Sequence, residues 1–591
     1  MKINSNIIKL LLLVITISFS SCETVDLDQT ENPSALNESF IDPIYTFNYV
    51  QLQLPDFVNS TNGFTQDVTR QMAMTGGNSY DNAFAPINFN NNWSTGYNIL
   101  NAIKIMEPKA IATQKYYELG ASKIIGCYVL MTMVDMYGDI PYTEALQGNN
   151  NIAPKFDSSA SVYKNILLDL DNAMAILNQP GDVPGEDFKD LYYTNKASWI
   201  TLAKTLKLKM YNNARLAGAG ADIGIADIGA AISGIINAGD YIDTPAKDFV
   251  FRYGNSRFTP NTRHPLYNDQ YESGGGAYIA NYMMWAMSTE KGFSAEFGVN
   301  SNSSSNLNDP RLHFYFYKQN ADPSSFNSDT FTLPGRARPS HYNLSEYNSF
   351  YLASNVAGRF TPYVVSNWCV PTEPNLPAKG FWGRDHGDNS GIPLDADKRS
   401  VAGIYPIGGV YGTANSVQTN GNKGKQGAGI MPILLSSYVH FMKAEAILTL
   451  GIAGDARAEY IAGINESIDK TIHLFSNYPV LTTSQQNSLN YNVTNYPIYM
   501  GTKYDEATGN DRLEIVMKEF YLAAWGNGIE TYNSYRRTGF PSNFQPTLQP
   551  VSGAYYNTAL YPQSVVNNNP NTPNNDRTRK VFWDRANVVL H

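Results

Sequence analysis

The chain has 591 residues and a formal net charge of −9, and no basic stripe runs along it, which excludes tracking of a nucleic-acid backbone. Charged residues make up 16%, below the roughly one quarter of an average soluble protein, while 40 tyrosines help bring aromatics to 13%. A polar surface built from Asn, Ser, Thr, Tyr and Gly follows, suited to hydrogen bonding and stacking on neutral ligands such as sugars, though equally the composition of an exported protein with ordinary loops.

Residues 1–21 read as a secretory signal peptide: Lys2 and Lys9 give a basic start, Leu10 to Phe19 an apolar core, Ser20 and Ser21 a small-residue exit. That core is too short to span a bilayer. Cys22 follows as in a lipoprotein signal, where the cysteine is acylated (palmitate) and becomes the mature N-terminus; Phe19 departs from the usual leucine. The polar, acidic stretch after it serves as a tether. No later run approaches the ~18 apolar residues of a membrane helix, so the body hangs outside the cell by lipid. Of the other two cysteines, Cys127 sits mid-helix as a small apolar residue and nothing argues for its bridging Cys369.

Phe40 to Leu54 reads as a first helix ended by Pro55, and the glycine- and asparagine-rich Thr61 to Phe89 as loop. Trp93, Tyr97, Leu100 and Ile103 share a face of the next helix as core anchors. Tyr116 onward is a buried helix with Ala121, Ile125, Tyr128, Val129, Thr132, Met133 and Met136 on one side, stopped by Gly138 and Pro141. Amphipathic helices follow over Ser158 to Leu177, Lys196 to Leu216 and Asp227 to Ala238. Residues 240–430 change character to Gly, Pro, Asn and aromatics, with one short helix at Tyr278 to Met287, and read as an ordered loop-rich lobe. Strong helices return at Pro432 to Leu450 and Ala456 to Phe475, then at Leu513 to Tyr535, kinked near Gly526 and Gly528. A Pro- and Asn-rich tail follows Thr538.

No HExxH, GxSxG, P-loop or dinucleotide fingerprint occurs, and Gly274 to Gly276 lack a strand-to-helix context. No pair of carboxylates stands out as a glycosidase pair. The richest chemical cluster is Phe381 to Asn389. There Trp382 offers a face for a sugar ring, while Arg384 and Asp385 fork onto hydroxyls, with Trp285 and Trp368 able to extend the platform. The same residues also suit an internal Arg384–Asp385 or Arg384–Asp388 pair closing a loop. Asp385, Asp388, Asn389, Asp395 and Asp397 are oxygen donors of the kind a structural Ca²⁺ takes, without EF-hand spacing; no cofactor and no catalytic residue are otherwise indicated.

DMYGDIPYTEAL, Asp135 to Leu146, resembles the hallmark turn of the SusD/RagB family of nutrient-binding outer-membrane lipoproteins of Bacteroidetes-type bacteria, in which it is structural. Asp309-Pro310-Arg311-Leu312, Lys443-Ala444-Glu445-Ala446 and Glu519 to Ala523 also match, less specifically. The resemblance implies a mainly α fold: a single domain over 22–591, with a helical scaffold of TPR-like pairs at about 36–239 and 431–540 and a ligand-binding lobe at about 240–430. It implies an N-terminal loop on the ligand face, where Asn78, Tyr80 and Phe84 have suitable chemistry. It further implies a non-enzymatic, lipid-anchored protein on the extracellular side of the outer membrane. Such a protein delivers oligosaccharides or peptides to a SusC-type TonB-dependent transporter. An exported glycoside hydrolase and a TPR-like envelope scaffold are the competing readings.

Overall fold

Apolar residues at helical spacing dominate residues 43–238 and 436–538, and both stretches are mainly helical. The structure, a computed structural model, describes residues 41–75, 80–181, 190–273, 277–291, 307–319, 381, 383–384, 386–387, 399–412, 422–545 and 554–586. The signal peptide, Cys22, Asn78, Gly274 to Gly276, Trp368, Cys369, Trp382, Asp385, Asp388, Asn389, Asp395 and Asp397 lie outside them. Six helices of more than ten residues open the described chain: α1 (Pro43–Val68), α2 (Asn90–Ala112), α3 (Tyr116–Tyr137), α4 (Ser159–Leu177), α5 (Lys196–Asn213) and α6 (Ile228–Ala238). The middle holds α7 (Asn281–Met287) and three antiparallel two-stranded ladders. These are β1 (Met72–Ala73) with β3 (Tyr278–Ile279), β2 (Phe249–Arg252) with β6 (Ile430–Leu434), and β4 (Phe316–Lys318) with β5 (Ser400–Ala402). Five helices close the body: α8 (Ser436–Leu450), α9 (Ala456–Ile472), α10 (Thr483–Glu506), α11 (Asn510–Ala523) and α12 (Gly528–Thr538). Neighbours pack as pairs, α3 with α4 and α8 with α9.

The seven expected apolar positions of α3 are buried, but so is almost every other residue of the helix, because α1, α2, α4 and α5 enclose it from all sides. Among the described residues it is the one helix long and apolar enough to cross a membrane, and protein surrounds it instead. Cys127 lies buried within it, as its apolar setting implied.

The turn that ends α3 is a knot of hydrogen bonds. Gly138 takes φ +81°, a backbone that residues with a Cβ rarely adopt. Asp135 is fully buried and accepts from the Tyr163 hydroxyl of α4, from Asn533 Nδ2 of α12 at 2.7 Å and from Trp583 Nε1 of the tail at 3.1 Å. Asp139 accepts from the Ser159 N–H at 2.7 Å at the start of α4, and Tyr137 donates to Asn92 Oδ1 at 2.8 Å. Tyr142 donates to Asp169 at 2.6 Å. These side chains join four segments and leave no free functional group, so the turn is architecture.

The other motif residues meet in the core. Arg311 donates to Asp309 at 2.9 and 2.7 Å and to Glu519 at 2.8 Å, and Lys291 lies 2.9 Å from Glu519. Glu445 receives Arg537 at 2.6 and 2.7 Å, Arg215 at 2.8 Å and Asn212 at 3.0 Å. A buried ion is tolerable only when partners replace its water, and breaking such a pair costs ~3–5 kcal/mol.

The structure corrects and extends the sequence reading. Pro55 does not end α1, which runs on to Val68, so Thr61 to Val68 is helix and not loop. Proline frees the carbonyl four residues earlier; here that is Gln51 O, and the Tyr192 hydroxyl donates to it at 3.0 Å. Leu513 to Tyr535 is two helices, because Gly526 takes φ +93° and Asn527 turns its side chain to the carbonyls of Pro432 and Ile433 at 3.0 and 2.9 Å. The polar helix α10 was missed entirely. The described part of the Pro- and Asn-rich tail packs onto the body: Tyr561 and Trp583 are buried, and Arg579 donates to Tyr137 O at 2.8 Å.

Candidate ligand cleft

The polar second half of α1 explains where a site forms. Its helix persists through Asn and Thr because tertiary bonds hold it: Asn62 Nδ2 donates to Gly526 O at 2.9 Å and its Oδ1 accepts from the Gly528 N–H at 2.8 Å. Gln71 Nε2, just beyond, donates to Ala524 O at 2.9 Å. This pins one wall of a cleft of about 430 Å³ between the helical body and the loop-rich lobe. The volume falls within the ~300–1,000 Å³ of small-molecule sites. From α1 come Asn59, Gly63, Gln66 and Asp67; from β1 and the residues after it Met72, Ala73 and Thr75; from β3 Tyr278; from the lobe His264, Leu266 and Asp269; from the α11–α12 turn Trp525.

Burial pushes the half-buried Asp67 carboxyl up to about 7, with the Arg70 guanidinium pulling the other way. Burial also raises Asp269, against Arg399 and the Ala277 N–H. Burial drives His264 down to about 3, so its ring is neutral, and Nδ1 accepts from the Leu266 N–H at 3.2 Å. The cleft therefore offers carboxamides, two carboxyls, a hydroxyl and aromatic surface. That set hydrogen-bonds against an apolar backing; among the described residues no nucleophile–base pair lines it. Among the described residues no group of three His, Cys, Asp or Glu side chains is placed to hold a metal ion.

The candidates named from sequence stand behind this surface. Tyr80 is 1% exposed; His386 Nε2 lies 3.0 Å from its hydroxyl and Arg70 3.5 Å, and its ring stacks on Phe84 at 5.8 Å. Phe84 is buried too. Trp285 is 1% exposed and covers the Lys518–Glu290 ion pair, with Lys518 Nζ 5.6 Å from its ring centre. Arg384 is 1% exposed and forms a parallel bridge with Ala280: its N–H donates to Ile279 O at 3.1 Å and its carbonyl accepts from the Asn281 N–H at 2.8 Å. Its guanidinium sits 5.2 Å from the ring centre of Tyr278, and Arg399 sits 4.4 Å from the same ring. Gly383 permits this docking, since a Cβ there would lie 1.9 Å from Ile279 O. Arg384 thus holds the β1–β3 seam at the cleft wall, and Tyr80 is buried against Phe84 and His386. Asp67, Asp269, Gln66 and Trp525 were not foreseen. No motif marks them; they come together only because α1 continues past Pro55 and the lobe folds back onto it.

Residues 32–349 match the SusD-like family model described as starch-binding associating with outer membrane, and residues 413–580 match the one described as SusD and RagB outer membrane lipoprotein. None of the curated proteins matches the sequence. Among solved structures, a chitin-binding SusD homologue from Flavobacterium johnsoniae aligns with a TM-score of 0.60 at 17% identity, covering 93% of this chain and 98% of its own. A SusD homologue from Bacteroides fragilis has a TM-score of 0.60 at 15% identity, covering 92% and 99%. A SusD/RagB family protein from Bacteroides thetaiotaomicron has 0.59 at 16%, covering 91% and 99%. At such identities these structures establish the fold, and the family models establish the kinship. The hydrolase and scaffold readings give way: the chain belongs to the SusD/RagB family and is an outer-membrane lipoprotein that binds nutrients or glycans without catalysing a reaction.

Proposed function

We propose that the protein captures oligosaccharides at the cell surface, held by a lipid on Cys22, and passes them to a SusC-type TonB-dependent transporter. The observation that carries the reading is the cleft between α1 and the lobe. It is of ligand size and lined by amides, carboxyls and the aromatic residues Tyr278 and Trp525. Capture without a bond-making step needs shape and hydrogen bonds, and these walls supply both, with Tyr278 and Trp525 as buried apolar backing. Arg384 backs the Tyr278 wall, while Trp382, Asp385 and Trp368 are proposed to widen the platform beside it, with Tyr80 and Trp285 as its buried supports. The likeness to a chitin-binding SusD homologue puts N-acetylglucosamine oligomers first among the ligands to try. The test is calorimetric titration with a glycan panel alongside a product assay. Binding of at least one glycan with no cleavage supports the reading; binding of none, or release of shortened sugars, refutes it. The transporter is tested by co-purification from outer membranes.

A further inference from the structure

The cleft has a one-sided charge pattern. Asp67 and Asp269 both line it, and among the described residues no lysine or arginine does. Asp269 Oδ2 is buried and accepts from no donor among the described residues. Three arginines lie close by, and each is buried behind the wall. Arg70 donates through Nε to Gln545 O at 2.7 Å and through Nη1 to Val68 O. Arg399 donates to Ala277 O at 3.2 Å, and it and Arg384 lie against the Tyr278 ring. All three are 1% exposed or less, so none reaches a ligand. Among the described residues an anionic sugar entering here meets two acidic side chains and no exposed lysine or arginine, and like charges brought together without water are strongly penalised. A hydroxyl or amine instead finds acceptors waiting.

Resting on the oligosaccharide reading above, we propose that this cleft selects neutral or amine-bearing sugars and rejects glycans carrying uronic acids or sulfates, with Asp67 and Asp269 as the discriminating groups. The groups facing Asp67 are Arg70 at the end of its own helix, and His264, Asp269 and Tyr278 from the lobe; His264 carries no charge at neutral pH. Burial raises both Asp67 and Asp269, and the two carboxyls therefore set how the selection varies with pH. Above about 7 Asp67 is ionised and rejection is strongest; as pH falls below that, it takes up a proton and rejection relaxes.

The experiment titrates the full protein with three oligomers of equal length: an N-acetylglucosamine tetramer, its de-N-acetylated form and a galacturonic acid tetramer, at pH 8 and pH 5.5 and low salt. The expected result is binding of the first two at pH 8, with the acidic oligomer weaker by about tenfold or more, which is 1.4 kcal/mol. That gap narrows at pH 5.5, and narrows at pH 8 in Asp67→Asn and further in the Asp67→Asn, Asp269→Asn double variant. Equal or tighter binding of the acidic oligomer by the wild type overturns the selection and leaves capture standing. A gap unmoved by either variant assigns it to other residues and overturns the proposal too. Failure of all three to bind removes this inference together with the reading beneath it.

Discussion

Replacing Glu445 by Gln tests whether the motif residues act as buried locks. The side chain is fully buried and holds Arg537 by two bonds, Arg215 by one and Asn212 by one. These partners keep its carboxyl down at about 2 against an ordinary 4.5, although burial alone would raise it. A displacement of that size corresponds to roughly 3 kcal/mol at 1.36 kcal/mol per pH unit. Breaking a buried pair by removing one charge gives ~3–5 kcal/mol, so two lines of reasoning agree. Glutamine keeps the shape but points an N–H group at guanidinium donors and leaves two buried cations facing a neutral amide. Urea unfolding at pH 7 is expected to show a loss of about 3 kcal/mol. The sign with pH follows from the depressed value: the contribution is complete above about 4.5 and is lost as pH falls through about 2. Wild type and variant should therefore converge in acid. A variant within about 0.5 kcal/mol of wild type at pH 7, the range of a neutral surface change, would refute the reasoning.

Tyr192→Phe removes the donor to the carbonyl that Pro55 frees, and a loss of about 1 kcal/mol is expected in the same assay; no loss would show that the proline needs no such partner. His440 lies 2.6 Å from Glu459 and 3.3 Å from Glu466, which lift it to about 9, so its stabilising contribution is complete below its ordinary 6.5 and lost as pH rises through about 9. His440→Gln should flatten the stability profile over that alkaline limb, read by thermal unfolding. Gly383→Ala forces a Cβ against Ile279 O and should expel the Arg384 segment from the β1–β3 seam, weakening ligand binding while circular dichroism still reports the helices. Cys22→Ala should abolish palmitate labelling and release the protein from the membrane fraction; continued labelling would remove the anchor.

The helical body was legible because α2, α4 and α9 bury one stripe each, which the spacing of Trp93 or of Val162, Ile166 and Leu170 displays. α3 was legible in extent, but not in surroundings: apolar residues on all its faces say that it is enclosed and do not say by what. α10 was missed because its residues are mostly Asn, Ser, Thr and Tyr with Pro497 inside; the one local signal was the Thr482–Gln485 capping box. The reading of α1 gave too much weight to Pro55, whose cost is offset by Tyr192, a partner 137 positions further along the chain. Trp285 and Tyr80 were selected for their chemistry, which a buried cation–π contact or ring stack needs as much as a sugar does. The cleft itself was illegible, since Asp67, Asp269 and Trp525 are brought together by chain-distant packing.

The most direct test fills the cleft. Gly63 lines it from α1, and a Cβ built there has no neighbour within 4 Å, so a tryptophan can be introduced without disturbing the helix or the core. Calorimetric titration of Gly63→Trp with the glycan that the wild type binds should show no measurable association, at an unchanged unfolding midpoint. Wild-type affinity in that variant would place the ligand elsewhere and contradict the account.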